Sequence, residues 1–221
     1  FQAEDGIRDF CLSRGLGDVY KRQVMSLPSF AAVSANVGIT SDYIWRGMTQ
    51  SDGISVSGGF DYENDSGFYA GVWGANINWG YATDDAGVLT EYGSGNEFDV
   101  YFGYGTEVGG IGVDIGYVMF KYPGIDAYDF EEIVLGLSMG DFGITYAAGQ
   151  DDFTDYLEFS YAIGAVGVSY GQYDDMGDNF LISYGFGCGS YDCSIAYTDF
   201  SDEGYSGVDE DALVFSIGAS L

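Results

Sequence analysis

Residues 97–120 read EFDVYFGYGTEVGGIGVDIGYVMF, and this stretch decides the fold. Its apolar side chains fall on every second position: Phe98, Val100, Phe102 and Tyr104, then Val113, Ile115, Tyr117 and Met119. The other parity holds Glu97, Asp99, Tyr101 and Asp114. Period two is the mark of a strand, because successive side chains point to opposite faces. The two runs are joined by the short, glycine-bearing link 107–110, so they read as an antiparallel hairpin with one apolar and one acidic face.

The same pattern repeats on both sides. Val33, Ala35, Val37, Ile39, Tyr43 and Trp45 alternate with Ser34, Asn36, Thr40, Asp42 and Arg46. Ile54, Val56 and Phe60 oppose Ser55, Ser57 and Asp61; Ile133, Leu135 and Leu137 oppose Glu132 and Ser138. Leu157, Phe159 and Tyr161 oppose Glu158 and Ser160, and Ile195 and Tyr197 oppose Asp192, Ser194 and Thr198. Twelve segments emerge, near 33–46, 54–62, 68–79, 96–106, 111–122, 128–139, 142–149, 155–163, 166–173, 179–186, 191–199 and 211–221. Tight links (63–67, 107–110, 140–141, 164–165, 187–190) alternate with wider acidic ones (47–53, 80–95, 123–127, 150–154, 174–178, 200–210). Short turns at one end and long loops at the other are how outer-membrane barrels are built, and most segments have the length of a tilted membrane strand. A soluble sandwich alternates too. Here the even strand count and lopsided loops favour an all-β, antiparallel, up-and-down transmembrane barrel of about twelve strands. Tyr43, Trp45, Trp73, Trp79, Tyr117 and Tyr197 are then expected in the aromatic girdles at the membrane interfaces.

The chain has 36 glycines, 20 tyrosines, 16 phenylalanines, two prolines and no histidine. Without histidine most hydrolase triads and most transition-metal sites are excluded. From Val24 onward Arg46 and Lys121 stand against 31 Asp and Glu, so the formal charge of −29 resides there. Residues 1–23 are different in texture: four cations balance four acids, the alternation is missing, and the run resembles translated sequencing-adapter DNA. They are read as a non-native or unstructured extension. Residues 24–31 resemble the tail of a secretory signal peptide, with small Ser29 and Ala31 at the cleavage positions; a short linker is the alternative. The barrel domain is 32–221.

Three stretches carry a family resemblance: Ser41-Asp42-Tyr43-Ile44-Trp45-Arg46-Gly47, Gly58-Gly59-Phe60-Asp61-Tyr62 and Gly67-Phe68-Tyr69-Ala70-Gly71-Val72-Trp73. Together they resemble the opening of the TorF porin family, and residues 97–124 and 212–221 follow it more loosely. The resemblance implies an outer-membrane barrel of a Gram-negative bacterium with a solute-channel role. Barrels of this kind usually end in an aromatic residue read by the insertion machinery; here Leu221 stands there, and less efficient insertion is the expectation, checked by Leu221→Phe.

Candidate chemistry is sparse. Gly136–Gly140 and Gly167–Gly171 spell Gly-x-Ser-x-Gly, but a nucleophile elbow needs a strand-to-helix turn and a histidine base. Barrel phospholipases and proteases are disfavoured for the same reason. No catalytic residue, cofactor or dedicated metal site is expected. The acidic stretches 82–87 and 172–179 and the calcium-like run 61–67 read first as solvated charge, since Val72 stands where a bidentate Glu should be. Cys188 and Cys193 flank the last tight turn; an oxidising periplasm favours a bridge, while the lipid-facing parity of Cys193 argues against one. Arg46 should point inward, where Asp42 or Asp61 could receive it, as a clamp against carboxylate repulsion or as a cation at a constriction.

The residues therefore predict a pore for passive, cation-preferring diffusion of small hydrophilic solutes. Its lining would be Asp42, Arg46, Asp61, Glu97, Asp99, Asp114, Glu132, Glu158 and Asp192. Expected partners are outer-membrane lipid, the barrel-insertion machinery and the solutes, with no nucleic acid. Two alternatives stay open. One is a closed structural barrel plugged by inward aromatics such as Tyr101, Phe120, Phe130 and Tyr156; the other is a soluble acidic protein from a saline habitat.

Overall fold

The computed structural model describes residues 32–83, 89–91 and 93–221; the readings of 1–23, 24–31 and most of 82–87 lie outside them. In chain order the strands are β1 (Ala32–Thr40), β2 (Ile44–Trp45), β3 (Met48–Thr49), β4 (Ser55–Glu63), β5 (Phe68–Asn78), β6 (Tyr81–Thr83), β7 (Leu89–Glu91) and β8 (Ser94–Val108). There follow β9 (Ile111–Lys121), β10 (Phe130–Met139), β11 (Phe142–Gly149), β12 (Tyr156–Ile163), β13 (Val166–Tyr173), β14 (Gly177–Cys188), β15 (Tyr191–Asp202) and β16 (Glu210–Ser220). Twelve of them form one closed antiparallel barrel, while β2–β3 and β6–β7 are small separate hairpins.

Closure is made by β1, which pairs with β4 on one side and with β16 on the other, from Asn36↔Ser220 to Thr40↔Ser216. With no free edge, every wall strand has ladder partners on both sides. The tight turns share one end of the barrel with residues 32 and 221. At the turn between β8 and β9, Gly109 and Gly110 both take positive φ (63° and 83°), the conformation a two-residue hairpin linking twisted strands requires.

The two faces are the reverse of a soluble protein's. Large apolar side chains stand on the outside around the whole circumference: Phe102 is 46% exposed, Leu135 41%, Phe159 44%, Ile182 41% and Phe215 48%. The polar parity is interior, so Glu97, Glu132, Thr145, Asn179, Ser194 and Thr198 are buried. A contiguous apolar surface of this extent is not left to water. This is an outer-membrane-like barrel.

The interior has two halves. Toward the long-loop end it is packed: Tyr101, Val118, Phe120, Val134, Ala147, Tyr156, Tyr173 and Phe200 form one buried cluster. Toward the tight-turn end the inward side chains shrink to Ser160, Ser169, Ser183 and Asp192, only half-buried around inward glycines such as Gly185. That end is a vestibule lined by glycine, serine and aspartate.

Candidate functional site

The packed half is filled by the chain itself. Alternation suggested that the first strand continues to Arg46, but the wall strand ends at Thr40. Ser41 takes its last wall bonds: its N–H donates to the Phe215 carbonyl (2.8 Å), and its Oγ accepts the Phe215 N–H (2.9 Å). From there the chain turns inward. Arg46 (φ 48°) and Gly47 (φ 89°) occupy consecutive left-handed positions, which close the two-residue hairpin β2–β3 inside the barrel. Glycine is required at position 47, where a Cβ would lie 2.7 Å from the Cβ of Asn179 and 3.0 Å from that of Phe200. Outside its tip the segment is held by Tyr43 Oη donating to Glu97 (2.8 Å), by the Thr49 N–H donating to Glu210 (2.7 Å) and by Trp79 Nε1 donating to Gln50 (3.0 Å).

Arg46 sits at the tip. Its Nη1 and Nη2 donate in parallel to the two oxygens of Glu132, each at 2.8 Å, and Nη1 also reaches Tyr173 Oη at 3.3 Å. The guanidinium carbon lies 4.0 Å from the Tyr156 ring centre, 4.5 Å from Trp45 and 5.5 Å from Tyr173. Trp45 in turn packs on Phe120, Phe130, Phe153 and Tyr173. Both charges are withdrawn from water, with side-chain exposures of 1% and 0%. Burial opposes the guanidinium charge, but Glu132 facing it outweighs burial and raises the Arg46 pKa above its ordinary value. The sequence placed Arg46 inside; the partner is Glu132 on β10, not Asp42 or Asp61.

Three other interior carboxylates, Asp61, Asp114 and Glu97, receive tyrosine hydroxyls. Tyr101 lies across Gly71 to reach Asp61, and Tyr69 lies across Gly103 to donate to Asp114 (2.8 Å). Tyr156 crosses Gly171 to donate to Asn179 (3.0 Å). In each crossing a glycine on the neighbouring strand leaves the groove in which the ring lies; a Cβ on Gly71 would stand 2.5 Å from the Tyr101 ring. Glu97 takes the hydroxyls of Tyr43 and Tyr122, whose pKa values are pushed well up by burial and then by the Glu97 and Asp99 carboxylates, so both remain neutral donors. Hydroxyl donors satisfy a carboxylate without cancelling its charge.

Asp61, Glu97, Asp99, Asp114, Glu132, Glu158 and Asp192 all lie on the inward parity of the wall. Asp42 belongs to the infolded segment rather than to the wall; its carboxylate accepts Ser51 Oγ–H (2.9 Å), and its pKa is raised by burial. The girdle reading needs correction at four of six positions. Tyr43, Trp45 and Trp73 are buried inside, where Tyr43 meets Trp73 edge-on, and Trp79 packs on Tyr122 and Tyr128. For Tyr43 and Trp45 the cause is the inward turn after Thr40. For Trp73 it is parity, since Phe68 and Val72 face out on β5. Tyr117 and Tyr197 do stand on the outer face, hydrogen-bonded to Glu131 and Asp199. Cys188 and Cys193 are bridged, on that same face. Both Gly-x-Ser-x-Gly runs are strand and turn residues of β10 and β13. In the calcium-like run, Asn64–Gly67 is a tight turn in which Asn64 Oδ1 accepts the Ser66 N–H (3.0 Å). Among the described residues no three potential ligands converge as a metal site. Lys121 lies at the rim, half-exposed beside Asp129 (3.2 Å) and Glu131 (3.7 Å).

The geometry can be set beside known proteins. Residues 28–201 match the family model described as bacterial protein of unknown function (Gcw_chp). The chain belongs to that family. Its description names no activity, and a search of curated proteins finds no match. Among solved structures the chain is similar to an active-site mutant of outer membrane phospholipase A from Escherichia coli, at 9% identity and TM-score 0.46, covering 94% of this chain and 96% of that one. It is also similar to the Salmonella typhi outer membrane phospholipase dimer with bound calcium, at 13% identity and TM-score 0.42, covering 91% and 94%.

Proposed function

We propose that this Gcw_chp family member is a bacterial outer-membrane porin for small hydrophilic solutes, cations in preference to anions, with segment 41–54 as its constriction. The observation that carries this reading is the sorting of the two faces. The outer face is apolar around the whole barrel, as lipid demands, while the inward wall presents carboxylates from β4, β8, β9, β10, β12 and β15. Among the described residues Arg46 is the one inward cation, and Glu132 neutralises it. Rings of carboxylate attract cations and repel anions. The resemblance of residues 41–47, 58–62 and 67–73 to the TorF porin family supports the same reading. In it the tight turns and the glycine–serine vestibule face the periplasm, the long loops face outward, and the insertion machinery meets the chain at β16. No bond chemistry is assigned to the site. The test is the reversal potential of refolded protein in a planar bilayer under a KCl gradient. A potential near the K⁺ value supports the proposal, and one near zero overturns the cation preference.

A second reading has an observation of its own. Glu132, Val134 and Ala147 are fully buried, so on that side the packed half leaves no space between segment 41–54 and the wall. A barrel permanently closed in this way would serve as surface architecture, and it would carry no current even after the segment is shortened.

A further inference from the structure

We infer that Glu132, Tyr156 and Tyr173 form a binding site for a guanidinium-bearing solute, and that Arg46 occupies it in the resting barrel as a tethered stand-in. The inference names the solute class for the porin proposed above, and it rests on that reading only for the transport step. The site belongs to the wall: Glu132 is on β10, Tyr156 on β12 and Tyr173 on β13. It therefore persists when the segment carrying Arg46 withdraws. Its chemistry is selective. The two oxygens of Glu132 accept parallel N–H bonds at 2.8 Å, the fork geometry that a planar guanidinium matches and an ammonium does not. The Tyr156 ring, 4.0 Å from the guanidinium carbon, adds a flat face on which a planar cation stacks.

The way Arg46 fills the site also points to a replaceable occupant. Only the terminal Nη1–Nη2 edge makes hydrogen bonds; the buried Nε has none. A free alkylguanidinium can reproduce every polar contact without the arginine tether. The tether itself is held in a backbone conformation that L side chains rarely adopt, at φ 48° on a non-glycine residue. Withdrawal relieves that conformation while exposing the carboxylate to an incoming cation. A solute that competes with Arg46 would thus hold open the constriction it passes.

The experiment is chemical rescue. Arg46→Ala is refolded in detergent, and its thermal midpoint is followed by the heat-modifiable gel shift while ethylguanidinium is titrated at millimolar concentration. The midpoint should rise by about 3 to 6 °C at a ligand concentration ten times the dissociation constant. Ethylammonium should give less than half that rise, and adding Glu132→Gln should abolish it. Equal responses to the two cations, or a response that survives Glu132→Gln, would overturn the inference. Should Arg46→Ala fold only with ethylguanidinium present, that result supports it. Should it not fold at all, Arg46→Gln is titrated instead, and no response there overturns it. Cation-selective current without ethylguanidinium binding would sink this inference and leave the porin standing; binding without current would do the opposite.

Discussion

Removing Glu132 is the sharpest perturbation of the packed half. Glu132→Ala leaves the Arg46 guanidinium inside an aromatic box with 1% of its side chain exposed and its bidentate partner gone. Stranding one member of a fully desolvated pair costs about 3–5 kcal/mol. The protein contains its own comparison. Lys121 pairs with Asp129 and Glu131 at the rim, 41% exposed, where such pairs contribute about 0.2–1 kcal/mol. Glu132→Ala should therefore destabilise at least roughly three times more than Lys121→Ala. Replacing both buried charges, as in Arg46→Met with Glu132→Leu, should recover most of the loss, to within about 1–2 kcal/mol of the parent, because no charge is then stranded. The assay is urea unfolding of protein in lipid vesicles, followed by tryptophan fluorescence, since Trp45 lies against the guanidinium. If Glu132→Ala costs no more than Lys121→Ala, the pair does not hold segment 41–54, and the burial argument is wrong.

Other outcomes follow from the same geometry. Gly171→Ala drives a methyl into the Tyr156 hydroxyl and should cost about 1–3 kcal/mol in the same unfolding assay, whereas Gly185→Ala, with open space around it, should stay within about 0.5 kcal/mol. Asp42 has its folded pKa raised by burial, so the folded state favours the protonated carboxyl. Its contribution to packing of segment 41–54 is complete below the ordinary value of 3.8 and is lost as pH rises through the folded pKa. Limited proteolysis of the segment should accelerate across that window in the parent and not in Asp42→Asn. Reducing the Cys188–Cys193 bridge, which closes a short loop across the β14–β15 hairpin, should lower stability by about 2 kcal/mol, and intact mass should then show two more thiol hydrogens.

The wall was legible because parity is a local property. Phe98 to Tyr104 and Val113 to Met119 alternate so regularly that strand, face and hairpin follow from adjacent residues, and the inward acids were placed by the same rule. What misled was continuation. Tyr43 and Trp45 keep the outward parity of β1, yet the chain has left the wall at Thr40, so the same alternation describes a hairpin inside the lumen. A local mark of that departure was present: Arg46-Gly47, where the expected strand 33–46 meets the link 47–53, is a pair suited to a two-residue turn. The choice of Glu132 as partner was not legible. It depends on how far the segment reaches across the barrel, and sequence spacing carries no information about that span. The tyrosine crossings were half visible, as glycines on the inward parity at 71, 103 and 171, whose purpose appears only when the neighbouring strand is known.

The porin proposed here requires an acidic lumen that runs through the barrel and is narrowed by segment 41–54. The most direct test is single-channel current in a planar bilayer, comparing residues 32–221 with a variant in which 43–50 are replaced by a short glycine–serine link. The parent should give small cation-selective steps, and the variant larger steps that are still cation-selective. No current from the variant, although it inserts and shows the heat shift of a folded barrel, would contradict the proposal.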